Sequence, residues 1–187
     1  MNRVLLIGTA LLKKMTPIEN NVDDSILSPY IFKAQETHIH QVLGTDLYER
    51  IKDDLVCRSL TGNYRKLYDE YIVPATIEWT FYEVMPFIQI KLTNKSVGRG
   101  SADYFNEGDL NDLKYLRNSV RDLGEFYSTR TTNYLKQNSH LFKEYMTNTG
   151  LDKIIPNSSN YFSGVYLGGG RSKDCKWGLG DRWKDIN

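Results

Sequence analysis

The chain has 187 residues, of which 40% are hydrophobic and 25% are charged. That balance is typical of a globular domain with its own core and unlike that of a disordered chain. The formal net charge of +1 gives the whole molecule no strong attraction for nucleic acid. No stretch approaches the roughly 20 apolar residues that a membrane-spanning helix needs, so we expect no membrane partner.

The chain begins with a short apolar run. Residues 4–7 predict a short strand, and the leucine pair 11–12 predicts a turn of helix. Gly8 and the lysine pair 13–14 break the run, and no small-residue cleavage site follows. We therefore expect no signal peptide and an intracellular protein.

A first long helix is predicted to start at Ser28, because serine caps helices and the following Pro29 fits the first helical position. Side chains suited to packing then recur at intervals of three or four residues, which places them on one face. They are Ile31, Gln35, His38, Ile39, Val42 and Leu43. Gly44 follows as the glycine that ends the helix.

Thr45 opens a second predicted helix, in which Asp46 and Glu49 have the spacing of a capping box. Its apolar stripe consists of Leu47, Ile51 and Leu55. Two helices joined by a short Gly-Thr link pack against each other as a hairpin or elbow, and this arrangement buries both stripes.

A long helical segment is predicted from Tyr64 to about Leu92. Pro74 and Pro86 lie within it and are expected to kink or interrupt it, because proline removes a backbone donor and clashes with the preceding turn. Residues 76–90 are apolar nearly all round. That composition predicts the central buried helix of the fold.

Residues 93–109 are polar and contain glycines, and we expect them to form a long loop, of the kind that is usually functional or mobile. Asp109 then caps another predicted helix with apolar residues at near-heptad spacing. These residues are Leu110, Leu113, Leu116, Val120, Leu123 and Tyr127. Such spacing indicates a helix that lies along a neighbour. The helical pattern continues through Met146 and stops at residues 148–150.

The last part of the chain, residues 151–187, has no helical period and carries six glycines between positions 164 and 180. The predicted fold is therefore mostly α. An elongated helical bundle occupies residues 1–150 and includes the long central loop. An extended C-terminal arm, rich in glycine and aromatic residues, occupies residues 151–187.

Within the arm, residues 163–172 read SGVYLGGGRS and invite comparison with a phosphate-binding loop. A Walker A loop has a lysine after its last glycine and then a helix, but Arg171 follows Gly170 and the next residues are typical of a turn. The dinucleotide-binding pattern also fails, because no helix opens after the glycines. We instead expect a docking arm that is ordered by a partner subunit. Its expected apolar anchors are Val165, Tyr166 and Leu167.

No arrangement of residues in the sequence indicates catalysis or a metal site. His38 and His40 lie two positions apart on a helix and point to nearly opposite faces, and His140 has no nearby cluster of ligands. Cys57 and Cys175 are far apart in the sequence and are expected to be free thiols in a reducing compartment. We expect no metal, no cofactor and no enzymatic activity.

Basic residues are dispersed along the chain. Arg117 and Arg121 lie four positions apart and share a helix face, whereas aspartates dilute the cations of the arm. These features do not favour sequence-specific DNA binding. A weak, sequence-blind contact with a phosphate backbone, strongly dependent on salt, stays open.

The stretch from residue 21 to residue 51 resembles the opening helices of small head–tail connector, or adaptor, proteins of tailed bacteriophages. Those proteins show Ile-x-x-Ala-Gln in the first helix, then Ile-x-x-x-Leu-Gly, and then Leu-Tyr at the start of the second helix. The matching residues are Ile31, Ala34, Gln35, Ile39, Leu43, Gly44, Leu47 and Tyr48. The loop KLTNKSVGRGSADY, the long helix from residue 109 and the arm sequence YFSGVYLGGG are similar to the version in phages of Bacteroides-type hosts, including crAss-like phages.

The resemblance implies a mostly helical, non-catalytic subunit that assembles into a homo-oligomeric ring of about twelve copies beneath the portal. Such a ring extends the DNA channel, contacts the portal and neighbouring neck or tail proteins, and lies in the virion after assembly in the host cytoplasm. The residues expected to contact partners are Tyr161, Phe162, Val165, Tyr166, Leu167, Trp177 and Trp183 in the arm, and Arg99, Tyr104 and Phe105 in the loop.

Two other functions stay open on the sequence. The first is a helical regulatory or accessory protein that binds a protein partner without catalysis. The second, less favoured by the residues, is a nucleotide-dependent enzyme that uses the glycine-rich arm.

Overall fold

A computed structural model describes residues 4–92, 97–99, 110–148 and 153–157, and their side chains except at 88–92, 97–99 and 110–113. The protein is mostly α-helical, as the sequence predicts. None of the helices in these ranges is long and apolar enough to cross a membrane.

The N-terminal segment is not a strand, which corrects the prediction for residues 4–7. Leu6 and Ile7 are buried in bends of the chain, and the backbone groups of this segment bond to side chains. The Leu6 amide donates to Gln35 Oε1 at 2.9 Å, and the Val4 carbonyl accepts from Gln35 Nε2 at 2.9 Å. A buried amide side chain therefore takes the place of a neighbouring strand. The predicted helical turn is confirmed as helix α1, Thr9–Met15.

Helix α2, Asp24–Ala34, begins five residues before Pro29, the predicted first helical residue, with Asp23 instead of Ser28 at the cap position. Pro29 lies inside the helix, and the amide hydrogen it lacks would have bonded to the carbonyl of Ser25 in the first turn. Because Ser25 is exposed, its carbonyl can bond to water instead, so the proline costs less than it would deeper in a helix. Ser28 is no cap, since its hydroxyl donates to the Asp24 carbonyl at 2.8 Å.

Helix α2 continues without a break through a π-helical turn, Gln35–Ile39, into the short helix α3, His40–Leu43. Gly44 ends this run with φ +76° and ψ 161°, a conformation that glycine adopts without steric cost. This confirms Gly44 as the end of the helix. The predicted inward face is also confirmed, because Ile31, Gln35, Ile39, Val42 and Leu43 are all buried.

Helix α4, Thr45–Cys57, starts directly after Gly44 and packs its predicted stripe into the core through Leu47 and Ile51. The capping box predicted for Asp46 and Glu49 is wrong, since no side chain of the helix caps its own first turn. Groups far along the chain cap it instead.

The next helical run comprises helix α5, Gly62–Leu67, a second π-helical turn, Tyr68–Ile72, and helix α6, Val73–Gln89. The interruption predicted at Pro74 takes the form of this π turn, in which the Val73 amide bonds to the Tyr68 carbonyl. Pro86 lies inside α6, three residues before its end.

Helix α6 is the central helix of the described fold, as predicted for residues 76–90. It contacts α2 and α7 along its length, and most of its side chains are buried on several sides. The buried residues are Ala75, Thr76, Ile77, Trp79, Thr80, Phe81, Val84 and Met85. One core cluster joins α6 to the elbow and the other joins it to α1 and α2.

A short antiparallel hairpin follows α6. Strand β1, Ile90–Leu92, pairs with strand β2, Val97–Arg99, so that Lys91 lies opposite Gly98. Two predictions are corrected here: the helix ends at Gln89 rather than near Leu92, and residues 97–99 of the predicted loop form a strand. The rest of 93–109 lies outside the described residues.

Helix α7, Leu110–Gln137, is the longest described helix and packs along α6, which confirms that it lies along a neighbour. Its buried positions, such as Val120, Gly124 and Thr131, follow the period of a straight helix. The near-heptad set is therefore only partly buried, because Leu116 and Leu123 lie roughly a quarter turn away from the packed face. A 3₁₀ turn, Ser139–Leu141, and helix α8, Lys143–Thr147, complete the run.

Candidate interaction surfaces

The elbow between α3 and α4 is held closed by the segment 153–157, here called the strap. The Thr45 amide donates to the Ile154 carbonyl at 3.1 Å, and the Ile154 amide donates to Thr45 Oγ1 at 2.8 Å. The Asn157 amide donates to the Gln41 carbonyl at 2.9 Å. Residues more than a hundred positions apart are thus joined by two backbone–backbone hydrogen bonds and one bond from a backbone amide to a side chain.

The strap also explains why position 44 is occupied by glycine. A Cβ built at this position would lie 2.6 Å from Pro156 Cγ and 2.8 Å from Asn148 Nδ2. Both the positive φ and the contact with Pro156 therefore require glycine at the elbow. Any substitution of Gly44 displaces the strap as well as straining the backbone.

Two side chains complete the cap of α4. Asn148 Oδ1 accepts from the Asp46 amide at 2.9 Å, so Asn148 supplies the cap that a local serine or aspartate usually provides. Asp46 forms an ion pair with Lys153 at 2.6 Å. Its hydrogen bond from Lys153 holds the pKa of the Asp46 carboxyl below its usual value.

A buried polar network lies beneath the elbow. Gln35 is fully buried, and both polar atoms of its side-chain amide are hydrogen-bonded: Oε1 accepts from Leu6, and Nε2 donates to Val4 and to Tyr48 Oη. Tyr48 in turn donates to Glu36 Oε1 at 2.7 Å. Burial, together with the bond to Glu36, raises the pKa of the Tyr48 hydroxyl. The network ties the N-terminal segment to α2 and α4.

The His40 imidazole lies between a carboxylate, Glu36, and a hydroxyl, Thr45, in the sequence of groups that a catalytic relay has. His40 Nδ1 lies 3.5 Å from Glu36 Oε2, and Nε2 lies 2.9 Å from Thr45 Oγ1. Thr45 Oγ1 already accepts the Ile154 amide, and the His40 ring stacks on Tyr48 at 4.5 Å. These contacts give the three residues a packing role at the elbow, as expected for His40.

His38 also has a packing role, as the sequence predicts. Its ring stacks on the Trp79 indole with centroids 3.7 Å apart and planes 3° apart, and Nε2 donates to Glu83 Oε1 at 3.1 Å. Burial lowers the pKa of the His38 imidazole, a shift that the Glu83 carboxylate opposes only in part. Burial disfavours the Glu83 anion, but hydrogen bonds from Lys33 and His38 outweigh it and lower the pKa of the carboxyl.

The Trp79 indole joins α6 to α7. Its Nε1 donates to Ser128 Oγ at 2.8 Å. Gly124 lies so close that a Cβ there would be 2.9 Å from Trp79 Cε2. The close approach of α6 and α7 thus depends on a glycine in the middle of a long helix.

The outer side of α7 is an apolar face that no described residue covers. The exposed fractions are 80% for Tyr115, 48% for Leu116, 46% for Leu123 and 60% for Phe126. Single exposed apolar residues are ordinary, but several on one helix indicate an interaction surface. We call these four residues the α7 face.

An open groove of about 360 Å³ borders the α7 face toward the C-terminal half of the helix. Its lining consists of Tyr71, Phe126, Thr129, Arg130, Asn133, Tyr134 and Gln137. Tyr71 and Tyr134 stack with ring centroids 4.2 Å apart, and the Arg130 guanidinium lies 4.8 Å from the centre of the Tyr71 ring. Arg130 has no carboxylate within ion-pair distance among the described residues. We call this feature the Arg130 groove.

The partner-binding residues predicted from the sequence mostly lie outside the described residues. This applies to Tyr104 and Phe105 of the loop and to all seven arm residues, Tyr161, Phe162, Val165, Tyr166, Leu167, Trp177 and Trp183. Arg99 is the last residue of strand β2. In the described ranges no group of three or more histidine, cysteine, aspartate or glutamate residues is placed to hold a metal ion.

The sequence reasoning missed the strap, the Trp79–Gly124 contact and the Arg130 groove. A signal existed for the contact, because glycine inside a helix costs roughly 1 kcal/mol relative to alanine and implies close packing. No local pattern could reveal the strap or the groove, since each joins elements distant in the sequence.

Fold and surfaces together define a helical protein built around an elbow, with an uncovered apolar face on its longest described helix. The chain belongs to the DUF6712 family, a family of unknown function, whose model matches residues 39–154. The match begins at the last residue of the first π turn and ends within the strap. No curated protein and no solved structure matches the chain.

Proposed function

We propose that this chain is a structural subunit of a bacteriophage neck, in which copies form a ring that joins the portal to the tail around the DNA channel. One observation carries the proposal: the order of packing residues that the chain shares with head–tail connectors. Those residues are Ile31, Ala34, Gln35, Ile39, Leu43, Gly44, Leu47 and Tyr48. All eight are buried, and they form the two helices and the elbow.

Ring assembly sets a physical requirement that the α7 face helps to meet. A ring closes by repeating one heterologous contact, so each subunit must present two different, complementary surfaces. The α7 face supplies one apolar surface of the kind that such a contact buries. In this proposal the loop 93–109 and the arm contact the portal or the neighbouring neck and tail proteins.

The proposed subunit surrounds DNA without reading its sequence. The near-neutral net charge and the many intramolecular ion pairs suit a channel along which DNA slides. Any contact with the phosphate backbone is sequence-blind and weakens steeply with salt. The proposed location is the virion neck, after assembly in the host cytoplasm, and the subunit has no catalytic role.

A helical accessory protein that binds one protein partner is the second candidate, and the same α7 face supports it. The two functions differ in their partners: a ring requires contacts between copies, whereas an accessory protein requires only a contact with a different chain. Self-association on assembly is therefore the property that separates them.

The substitution Leu123→Glu tests the proposal, because it places a charge in the centre of the α7 face without touching the core. We expect particles made with this variant to lack joined tails, since burying an unpaired carboxylate at a subunit contact is strongly unfavourable. Asn118→Glu, on the same helix and exposed, is the matched control and is expected to leave assembly intact. Normal tail joining with Leu123→Glu would argue against a ring contact through this face.

A further inference from the structure

We propose that the Arg130 groove binds a segment of the chain's own C-terminal arm, residues 181–185. The proposal rests on the proposed function, in which the arm is a docking element. The Arg130 groove is the site on this chain that would receive the arm.

The lining of the groove favours an anionic and partly aromatic ligand. The guanidinium carbon of Arg130 lies 4.8 Å from the centre of the Tyr71 ring, and a guanidinium over an aromatic face can still donate its N–H groups to a carboxylate. The other polar groups of the lining are the hydroxyls and amides of Thr129, Asn133 and Gln137, which are neutral. Phe126, which is 60% exposed, adds an uncovered aromatic ring beside the cation.

Arg130 differs in this respect from three other arginines on the surface. Arg50, Arg65 and Arg121 each form an ion pair with a carboxylate on their own helical run. Within the described ranges Arg130 has only the Tyr71 ring as a partner. An exposed guanidinium held in place by stacking, with its charge unpaired, is a prepared site for an anion.

The segment 181–185 reads Asp-Arg-Trp-Lys-Asp. In an extended segment, alternate side chains point to the same side. Asp181, Trp183 and Asp185 therefore share one side, with a carboxylate on each flank of an indole, while the two cations share the other. The acidic and aromatic side complements Arg130 and Phe126.

The length of the arm permits the contact. The strap, which lies within the arm, anchors the chain as far as Asn157, whose amide bonds to the Gln41 carbonyl. The 23 residues from 158 to 180 can span about 75 Å when extended. Helix α7, with its 28 residues, is only about 42 Å long. The segment can therefore reach the groove of the same chain or of an adjacent copy.

Hydrogen exchange on the full-length chain tests the proposal at residues 178–187. We expect these amides to be protected, and Arg130→Glu to speed their exchange by about tenfold, the effect of losing one charge-assisted contact. Lys136→Glu is the matched control, because it reverses a charge on the same exposed helix outside the groove lining and is expected to leave the protection unchanged. Adding Asp181→Arg and Asp185→Arg to Arg130→Glu is expected to restore the protection.

Unprotected amides at 178–187, or equal effects of Arg130→Glu and Lys136→Glu, would overturn the proposal. Protection that rises with protein concentration assigns the arm to a second copy, and constant protection assigns it to the same chain; either pattern supports residues 181–185 as the occupant. Tail joining is scored separately in particles. If the particles show no role of this chain in tail joining while the exchange pattern is as expected, the proposed function alone is refuted.

Discussion

At the residue scale, the fold depends on a few residues that contact groups distant in the sequence. Gln35 satisfies two backbone groups of the N-terminal segment and the hydroxyl of Tyr48 while itself fully buried. Gly124 makes room for the Trp79 indole between the two longest described helices. Such residues tolerate little change, because a buried polar group without a partner and an overpacked contact are both costly.

Gly124→Ala is expected to lower the free energy of unfolding by about 1–3 kcal/mol, because its Cβ would press on the indole ring. The loss outweighs the gain in helix propensity of about 1 kcal/mol that alanine brings in an open helix. Chemical denaturation measures the difference. Ser119→Ala, at an exposed position of the same helix, is the control and is not expected to lower stability. Equal stability of the two variants would contradict the Trp79 contact.

The stacked His38 gives stability a dependence on pH. Burial holds the pKa of its imidazole below the ordinary 6.5, so the unfolded chain takes up the proton first. The contribution of His38 is therefore full above pH 6.5 and declines as the pH falls below that value. We expect the free energy of unfolding to drop as the pH falls below 6.5, and His38→Gln to flatten that drop. His140→Gln, at an exposed position, should leave the profile unchanged. An equally steep profile for His38→Gln would show that His38 does not cause the pH dependence.

At the element scale, the elbow shows which features of the fold can be predicted from the sequence and which cannot. Gly44 and the two amphipathic helices around it were predictable, because apolar spacing and a terminal glycine are local signals. The start of α2 at Asp24 was not, since the cost of Pro29 depends on whether Ser25 faces water. The two π turns have no pattern of their own in the sequence, and the cap of α4 comes from residues that only the folded chain brings near.

Asn148→Ala is expected to destabilise the protein by about 1 kcal/mol, the usual cost of losing a helix cap. The substitution leaves the Asp46 amide without its acceptor although no residue of α4 changes. Thermal unfolding monitored by the helical circular dichroism signal measures the effect. Asn118→Ala, at an exposed position of α7, is the control and is not expected to lower the melting temperature. An unchanged melting temperature for Asn148→Ala would show that the cap contributes nothing.

At the scale of the whole molecule, the described residues form helices gathered around α6, with the strap as the link to the arm. The helical class followed from composition and periodicity, whereas the hairpin of β1 and β2 did not, because its strands are only three residues each. The α7 face was visible in the sequence as Leu116 and Leu123. Their exposure, however, depends on which side of the helix α6 occupies.

The strap predicts where the chain can be shortened. A chain ending at Asn157 keeps every contact of the strap and serves as the reference. A chain ending at Asn148 loses the acceptor of the Thr45 amide and the ion pair of Asp46, and should unfold several degrees lower. Differential scanning calorimetry on both chains measures the difference. Equal melting temperatures of the two shortened chains would show that the strap adds no stability.

The central claim is that this chain is a ring-forming subunit of a phage neck. Cryo-electron microscopy of the native assembly tests it most directly, because it images copies, symmetry and channel together. We predict a closed ring of about twelve copies around a central channel, with the α7 face buried between neighbours. An assembly in which single copies bind a different protein, with no ring and no channel, would contradict the claim.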